Sequence, residues 1–331
     1  MTSIELTEPA IPGLRFRRFR GEADFPGMLR VHQAARAADG IEEVTTLVQL
    51  RLNYENLVNC DPDRDITMAE VDGELVAYAR VFWQDLVDGG RSYECFGFVH
   101  PDWRRRGIGG ALLRHNEALL REIAAEHEGI APKWFSSEGT DRDGGNMAVL
   151  RREGYTAVRY FHEMVAPTLE SIVAPPMPDG LELRAVERGA YRAIWEAEAE
   201  AFRDHWGEAE WTEADWRRFE ADPDNADPRF WRVGWDGDEV AGVVTTNVPA
   251  EENEARGRQR VYVSGVSVRR PWRRRGLARA LLASSLAGAR EAGFTSAALG
   301  VDTDSPTGAT GLYRSLGFAP EQTFIAWRKP L

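Results

Sequence analysis

The spacing of apolar residues predicts the same succession of strands and helices in the first and second halves of the chain. Alternation on both sides of an Asp-Gly pair predicts a β-hairpin over 66–83, and a buried strand over 93–99 follows it. In the second half, a hairpin over 230–247 precedes a strand over 261–268. Each of these strands runs into a turn rich in arginine and glycine, which opens an amphipathic helix.

The other elements of each half follow the same plan. Short strands over 14–19 and 181–185 open the two halves. In the second half a strand is predicted over 297–301, then a helix over 307–316 that ends at a glycine, and a last strand over 324–328. The apolar stripe of the long helix in that half consists of Leu277, Leu281, Leu282, Leu286 and Ala289.

Four sequence landmarks recur in the same order, which indicates an internal duplication. They are the pairs 13–17 and 180–184, 71–77 and 235–241, 103–107 and 272–276, and 150–155 and 313–318. We therefore expect two domains, 1–166 and 180–331, each of an ordinary domain size. Between them, residues 167–179 contain four prolines, which favour an extended linker.

The turn after the strand reads Arg273-x-x-Gly276-x-Ala278 in the second copy and Arg104-x-x-Gly107-x-Gly109 in the first. A tight turn that opens a helix directs several backbone N–H groups the same way, which suits a bound phosphate. The small residues let a diphosphate approach the backbone, and the arginines add positive charge. Neither turn has the Gly-Lys-Ser/Thr of a Walker A loop, and a solvated turn is the plain alternative for a single copy.

This turn, the hairpin before it and the late Tyr-x-x-x-Gly-Phe element resemble the GCN5-related N-acetyltransferase (GNAT) family. The resemblance covers nearly the whole chain, twice, and the tandem layout is similar to that of mycothiol synthases and related two-domain acetyltransferases. It implies an α/β (α+β) fold in which each domain has a mixed, mostly antiparallel sheet flanked by helices. It also implies acetyl-CoA as the acyl donor.

By the same resemblance, the strand offers backbone groups to the pantetheine arm of the cofactor and the turn wraps its diphosphate. In the second copy the residues expected to bind the cofactor are Val266, Ser267, Val268, Arg273, Arg274, Arg275, Gly276, Leu277, Ala278 and Arg279. In the first copy they are Val99, Arg105, Arg106, Gly107, Ile108, Gly109 and Gly110.

Transfer of an acyl group from a thioester to an amine needs a neutral amine and a proton or hydrogen bond for the departing thiolate. Family members place a tyrosine four residues before the glycine of the late element, and Tyr313 occupies that position here. A tyrosine suits this role because it is protonated at neutral pH. The first copy has Leu150 there, so we expect it to be structural, regulatory or part of the substrate pocket.

The general base is left open among several groups. Candidates are Asp302, Asp304, His205, Glu208 and Glu210, and a water relay would also serve. An amine pocket is one interpretation of the residues around 201–212, and helix packing of their tryptophans is the other. The residues assigned to the substrate are His205, Trp206, Glu208 and Asp302.

Composition narrows the function classes. The 331 residues carry a formal net charge of −12, which argues against nucleic acid as a partner. No apolar run reaches the roughly 18 residues of a membrane span, and no signal peptide opens the chain, so we expect a cytoplasmic protein. The two cysteines and six histidines form no metal-binding pattern, so no metal is expected. The sequence indicates no particular oligomeric state.

The first functional hypothesis is an acetyl-CoA-dependent N-acetyltransferase that acts on a primary amine of a small molecule. Transfer would be direct, in a ternary complex, because no nucleophilic serine or cysteine constellation is present. One alternative is acetylation of a cysteinyl amine, as in mycothiol synthases. Another, of a different class, is a non-catalytic acyl-CoA sensor or scaffold.

Overall fold

The computed structural model describes residues 9–41, 45–129, 132–305 and 307–331. The chain forms two compact units. The first comprises Met1–Arg159 and Phe324–Leu331, and the second comprises Tyr160–Thr323. No helix in the described ranges is long and apolar enough to cross a membrane.

The first unit contains a mixed sheet in the order β1-β2-β3-β4-β5-β12. All neighbours are antiparallel except β4 and β5, which are parallel. Its strands are β1 (Leu14–Arg18), β2 (Ile66–Val71), β3 (Glu74–Asp85), β4 (Arg91–Val99), β5 (Lys133–Thr140) and the end of β12 (Ala319–Pro330). Its helices are α1 (Phe25–Ala38), α2 (Leu47–Glu55), α3 (Pro62–Asp65), α4 (Ile108–Ala125) and α5 (Gly144–Arg152).

The second unit repeats this arrangement in the order β6-β11-β10-β9-β8-β7, with β10 and β11 as the parallel pair. Its strands are β6 (Thr156–Ala166, of which residues 160–166 belong to this unit), β7 (Glu182–Arg184), β8 (Arg232–Asp236), β9 (Glu239–Asn247), β10 (Arg260–Val268) and β11 (Ser296–Asp302). Its helices are α6 (Tyr191–Phe202), α7 (Glu213–Ala221), α8 (Ala250–Arg256), α9 (Leu277–Glu291) and α10 (Ala309–Ser315). The predicted fold, with a mixed and mostly antiparallel sheet in each copy, is confirmed.

The two predicted hairpins form with two-residue turns. In the first, Asp72 and Gly73 have φ of 49° and 87°, which is the left-handed geometry that matches the twist of the paired strands. In the second hairpin, Gly237 has φ of 57°. The residues that pair across this turn are Asp236 and Glu239. Local turn chemistry therefore sets the register of both hairpins.

Helices α6 and α9 cover opposite faces of the sheet in the second unit. Val243 of β9 packs in one buried cluster with Ile194 of α6, whereas the next residue, Val244, packs in another with Leu281 of α9. Successive side chains of a strand point to opposite faces, which accounts for this division. Strand β9 is consequently buried between two helices, whereas β10 exposes Tyr262 and Ser264.

The compact units differ from the predicted boundaries at 166 and 180. Residues 324–330 pair with β5 and complete the first unit, and Ile325 and Trp327 are buried in its core. Residues 161–166 pair with β11 of the second unit. Within the segment predicted as an extended linker, Leu169 and Ile172 belong to the second unit's core.

Candidate active site

A separation of two parallel strands forms the centre of the site in the second unit. Strand β10 pairs with β11 only over Arg260–Val263, which lies opposite Ser296–Leu299. Beyond this segment, β10 continues to Val268. On its other side β10 stays paired with β9 up to Val268. Residues 266–268 thus keep one hydrogen-bonding edge that, in the described part of the sheet, no strand occupies. An extended, amide-containing molecule can bind such an edge as an added strand does.

A β-bulge accompanies this separation. Val263 pairs with Thr246 and Gly265 pairs with Thr245, so Ser264 is the extra residue on β10. The Ser264 hydroxyl donates to the Thr245 carbonyl oxygen at 3.3 Å. The bulge bends β10 at the point where its pairing with β11 ends. The first unit has a similar opening, since β4 pairs with β5 only over Arg91–Glu94.

The turn after β10 has a backbone suited to an anion. Arg274 and Gly276 have φ of 62° and 88°, and Arg105 and Gly107 in the first unit have nearly the same values, 63° and 92°. Left-handed residues alternating in a turn direct successive N–H groups into one concavity. Helix α9 begins just after Gly276 without a side-chain cap, so its first N–H groups point toward the same place.

Arg273 holds this turn in position. Its guanidinium donates to the Val268 carbonyl oxygen at 2.9 Å and to Asp204 at 2.6 Å. Asp204 also pairs with Arg270, and the two arginines lower the pKa of its carboxyl. In the first unit Arg104 makes the corresponding contact to Asp39 at 2.6 Å. The predicted cofactor residue Arg273 is thus engaged with protein groups.

The other predicted cofactor residues lie around the same turn. Arg274, Arg275, Gly276 and Arg279 are exposed, and Leu277 is buried in the core. Arg275 donates to the Asp179 carbonyl oxygen at 2.7 Å, and Arg279 donates to the Ser315 hydroxyl at 2.6 Å. Arg274 is also exposed. Among the described residues, its guanidinium has no hydrogen-bond partner.

Tyr313 lies on α10 and is buried, with its ring 6.1 Å from that of Phe318. Burial raises the pKa of the Tyr313 hydroxyl to about 12, so the phenol is protonated at neutral pH. Leu150, on α5 of the first unit, is 1 % exposed and packs in an apolar core. The two copies therefore differ in the chemistry available at this position.

Three of the four residues assigned to the substrate lie near one another. Trp206 packs against Phe161 with 6.4 Å between ring centroids, and Phe161 pairs with Asp302 in the sheet. Burial lowers the pKa of His205, and the negative charge of Asp302 opposes that effect. His205, Trp206 and Asp302 consequently gather at the end of β11.

The remaining acidic candidates have local partners. Glu208 accepts a hydrogen bond from the Trp211 indole at 2.6 Å, and burial raises its pKa. Glu210 forms an exposed ion pair with Arg203. The Asp304 N–H donates to Asp302, which agrees with a turn beginning at Asp304.

One buried acid was missed by the sequence analysis. Glu198 of α6 is 4 % exposed, and it shares the sheet-facing side of the helix with Ile194 and Ala201. A Cβ added at Gly265 would lie 2.6 Å from a Glu198 carboxyl oxygen and 2.7 Å from the Thr245 hydroxyl. Burial raises the pKa of Glu198 to about 8, and a hydrogen bond with Thr245 opposes it. The available signal was a glutamate within an apolar stripe of helical spacing.

Comparison with known proteins agrees with this geometry. A sequence model described as "Acetyltransferase (GNAT) family" matches residues 30–134 and 191–318. The chain belongs to the GNAT acetyltransferase family. Members of this family use acetyl-CoA as the acetyl donor.

Curated relatives match the GNAT chain over nearly its full length. A mycothiol acetyltransferase of Geodermatophilus obscurus is 31 % identical over 316 residues, covering 93 % of this chain and 94 % of the relative. A second mycothiol acetyltransferase, of Thermobispora bispora, is 30 % identical and covers 92 % and 96 %. The similarity therefore includes both copies of the domain.

Solved structures show the same architecture. A GCN5-related N-acetyltransferase from Sphaerobacter thermophilus aligns with a TM-score of 0.70 and 27 % identity, covering 95 % of each chain. A tandem GNAT protein from the clavulanic acid biosynthesis pathway aligns with a TM-score of 0.66, covering 96 % of this chain and 98 % of its own. Its identity is 18 %, so this second likeness concerns the fold alone.

Proposed function

We propose that this GNAT protein transfers the acetyl group of acetyl-CoA to the amine of a cysteinyl small molecule, with the reaction taking place in the second unit. Relatives named mycothiol acetyltransferase at about 30 % identity over the full length favour a cysteinyl acceptor over primary amines in general. The observation that carries the proposal is that the second unit combines an open strand edge, an anion-binding turn and a buried tyrosine.

The chain's own groups fit the parts of acetyl-CoA. The free edge of Val266–Val268 supplies backbone groups for the amides of the pantetheine arm. The left-handed turn and the start of α9 supply N–H groups for the diphosphate, with Arg274 adding charge. Arg273 positions this turn against the end of β10 through its hydrogen bond to the Val268 carbonyl oxygen.

Tyr313 acts on the leaving group. As the amine nitrogen bonds to the carbonyl carbon, the carbon–sulfur bond breaks and negative charge develops on sulfur. The ordinary pKa of a thiol is about 8.5, below the value of about 12 that burial gives Tyr313. The phenol therefore keeps its proton and stabilises the thiolate through a hydrogen bond.

The first unit has a different role in this proposal. Its strand opening and its turn match those of the second unit, but Leu150 provides no donor. We assign it to a structural or ligand-holding role. The chemistry is expected to depend on the second unit alone.

Release of free CoA thiol with a panel of amines tests the proposal. The panel includes cysteinyl pseudodisaccharides, polyamines, aminoglycosides, amino acids and short peptides. We expect release with the cysteinyl acceptor and a fall of about a hundredfold in kcat for Tyr313→Phe. The matched control is Tyr155→Phe, a buried tyrosine of the first unit, which should keep wild-type kcat.

Other outcomes would overturn the proposal. Release with polyamines or peptides but not with cysteinyl amines would contradict the acceptor class. Binding of acetyl-CoA without thiol release on any amine would favour a non-catalytic sensor. Equal kcat for wild type and Tyr313→Phe would remove the tyrosine from the mechanism.

A further inference from the structure

We propose that Glu198 is the general base of the second unit and takes the proton from the acceptor amine, with Thr245 positioning its carboxylate. This inference rests on the proposed acetyl transfer and adds to it the residue that prepares the amine. Glu198 lies on α6 and was not among the groups that the sequence suggested. Its carboxyl lies against the sheet beside Gly265 of β10.

Gly265 of β10 leaves room for the Glu198 carboxyl. A side chain at this residue would collide with the carboxyl oxygen at 2.6 Å and with the Thr245 hydroxyl at 2.7 Å. The missing side chain therefore creates the space in which the carboxyl and the hydroxyl meet. Gly265 pairs directly with Thr245 in the strand register, and the packing of α6 on β9 and β10 brings Glu198 to them.

This position coincides with the point where the strands separate. Pairing of β10 with β11 ends at Val263, and the free edge of β10 covers Val266–Val268. Gly265 lies between them, next to the bulged residue Ser264. A thioester bound along the free edge thus has the Glu198 carboxyl beside the start of the opening, on the sheet face that α6 covers.

The first unit lacks this arrangement. Phe96 pairs with Arg80 there, three residues before the strand end at Val99, as Gly265 pairs with Thr245 three residues before Val268. The Arg80 guanidinium lies 5.4 Å from the Phe96 ring. An aromatic ring and a cation thus stand where the second unit has a glycine and a hydroxyl. The carboxylate site is a property of the unit that also keeps the tyrosine.

The charge state of Glu198 suits an α-amino group. Burial raises its pKa to about 8, and the α-amino group of a peptide titrates at about 7.7–8.0, so proton transfer between them is nearly balanced. A lysine-type amine, with a pKa of about 10.4, would make the same transfer a few hundredfold less favourable. A cysteinyl acceptor reacting through its α-amino group falls in the first class.

Other titratable groups do not account for this pKa. On the strands packed against α6 they are Glu239, Arg260 and Tyr262, and the first turn of α7 carries Glu213 and Asp215. Within the described residues, burial and the Thr245 hydrogen bond are the two causes that act on Glu198. Its titration is consequently governed by the local site.

The decisive experiment compares Glu198→Gln with Glu196→Gln, an exposed glutamate of the same helix. We expect kcat on the cysteinyl acceptor to fall about a hundredfold or more in Glu198→Gln, with acetyl-CoA affinity by calorimetry within twofold of wild type. Glu196→Gln should keep wild-type kcat. If Glu198→Gln retains kcat within twofold while thiol release continues, the inference is wrong and the proposed acetyl transfer stands.

A second variant tests the inference without removing the acid. Thr245→Val removes the hydrogen bond that favours the carboxylate, so the acidic limb of the kcat–pH profile should move to higher pH. If the substrate amine sets the acidic limb, the limb will stay at the same pH in Thr245→Val. An unmoved limb would overturn the role of Glu198. Independently of turnover, infrared difference spectra should show a carboxyl band that titrates near pH 8 in wild type and is missing in Glu198→Gln. Its absence from wild type would also overturn the inference.

Discussion

A buried glutamate with a raised pKa should make the second unit less stable as pH rises. In the unfolded chain Glu198 titrates near its ordinary value of 4.5, whereas in the fold it titrates at about 8. Below pH 4.5 both states hold the proton, so the group costs nothing. Between these values the unfolded chain has released the proton and the folded chain has not, and the free energy of unfolding falls with pH.

The size of this effect follows from the two values. Each pH unit in the window costs about 1.4 kcal/mol, and at pH 8 the accumulated upper bound is about 4 kcal/mol. Glutamine has the same shape without the ionisation, so Glu198→Gln should remove the pH-dependent part. We expect the variant to be more stable than wild type at pH 8 by about 1–4 kcal/mol, and to gain little at pH 5.

Hydrogen exchange measures this for the second unit alone. The amides of β9, which is buried between α6 and α9, report opening of that unit, and their protection is compared from pH 5 to pH 9. Glu196→Gln is the control because its glutamate is exposed. If protection in Glu198→Gln differs from wild type by the same factor at pH 5 and at pH 9, the raised pKa is refuted.

Three further substitutions test how the structure supports the site. Gly265→Ala should lower the free energy of unfolding by about 1–3 kcal/mol and lower kcat at least tenfold, because the new Cβ displaces the Glu198 carboxyl. The control is Gly300→Ala, because a Cβ there would lie 3.6 Å from the nearest atom; in thermal melts its stability should be within about 0.5 kcal/mol of wild type. Asp204→Asn frees Arg273 and should raise KM for acetyl-CoA about tenfold with kcat retained, as steady-state kinetics would show. Trp327→Ala should destabilise the first unit by about 3–5 kcal/mol, seen as faster hydrogen exchange in β5.

Features that depend on neighbouring residues could be predicted from the sequence. The Asp72-Gly73 and Gly237 turns, the strands around them and a tight turn opening a helix at Gly276 are all present in the structure. In each case a few consecutive residues determine the backbone, through glycine, left-handed φ or alternating apolar positions. The duplication strengthened these predictions because two copies carry the same local signals.

Features that depend on distant pairing could not be predicted. Residues 324–330 form a strand that pairs with β5 of the first unit. Their sequence alone does not show whether they pair there or within the second unit, because an alternating strand fits the edge of either sheet. The proline-rich segment looked like a linker, yet Leu169 and Ile172 pack in a core. The role of Glu198 could not be predicted because it depends on the packing of α6 against β9 and β10, which brings Gly265 and Thr245 to its carboxyl.

Under the proposed function, the two copies together distinguish the groups that hold a ligand from the groups that react with it. Both copies have the strand opening and the turn. The direction of the backbone N–H groups in this turn depends on the positive φ of Gly107 and Gly276. The second unit alone has Tyr313 and the Glu198 site, while Leu150 occupies the corresponding core position in the first. A binding site made of backbone groups tolerates substitution of side chains, whereas loss of one acid or base side chain typically lowers the rate by about 10²–10⁴-fold. A duplicated domain can therefore lose its reaction and still keep the shape of its binding site.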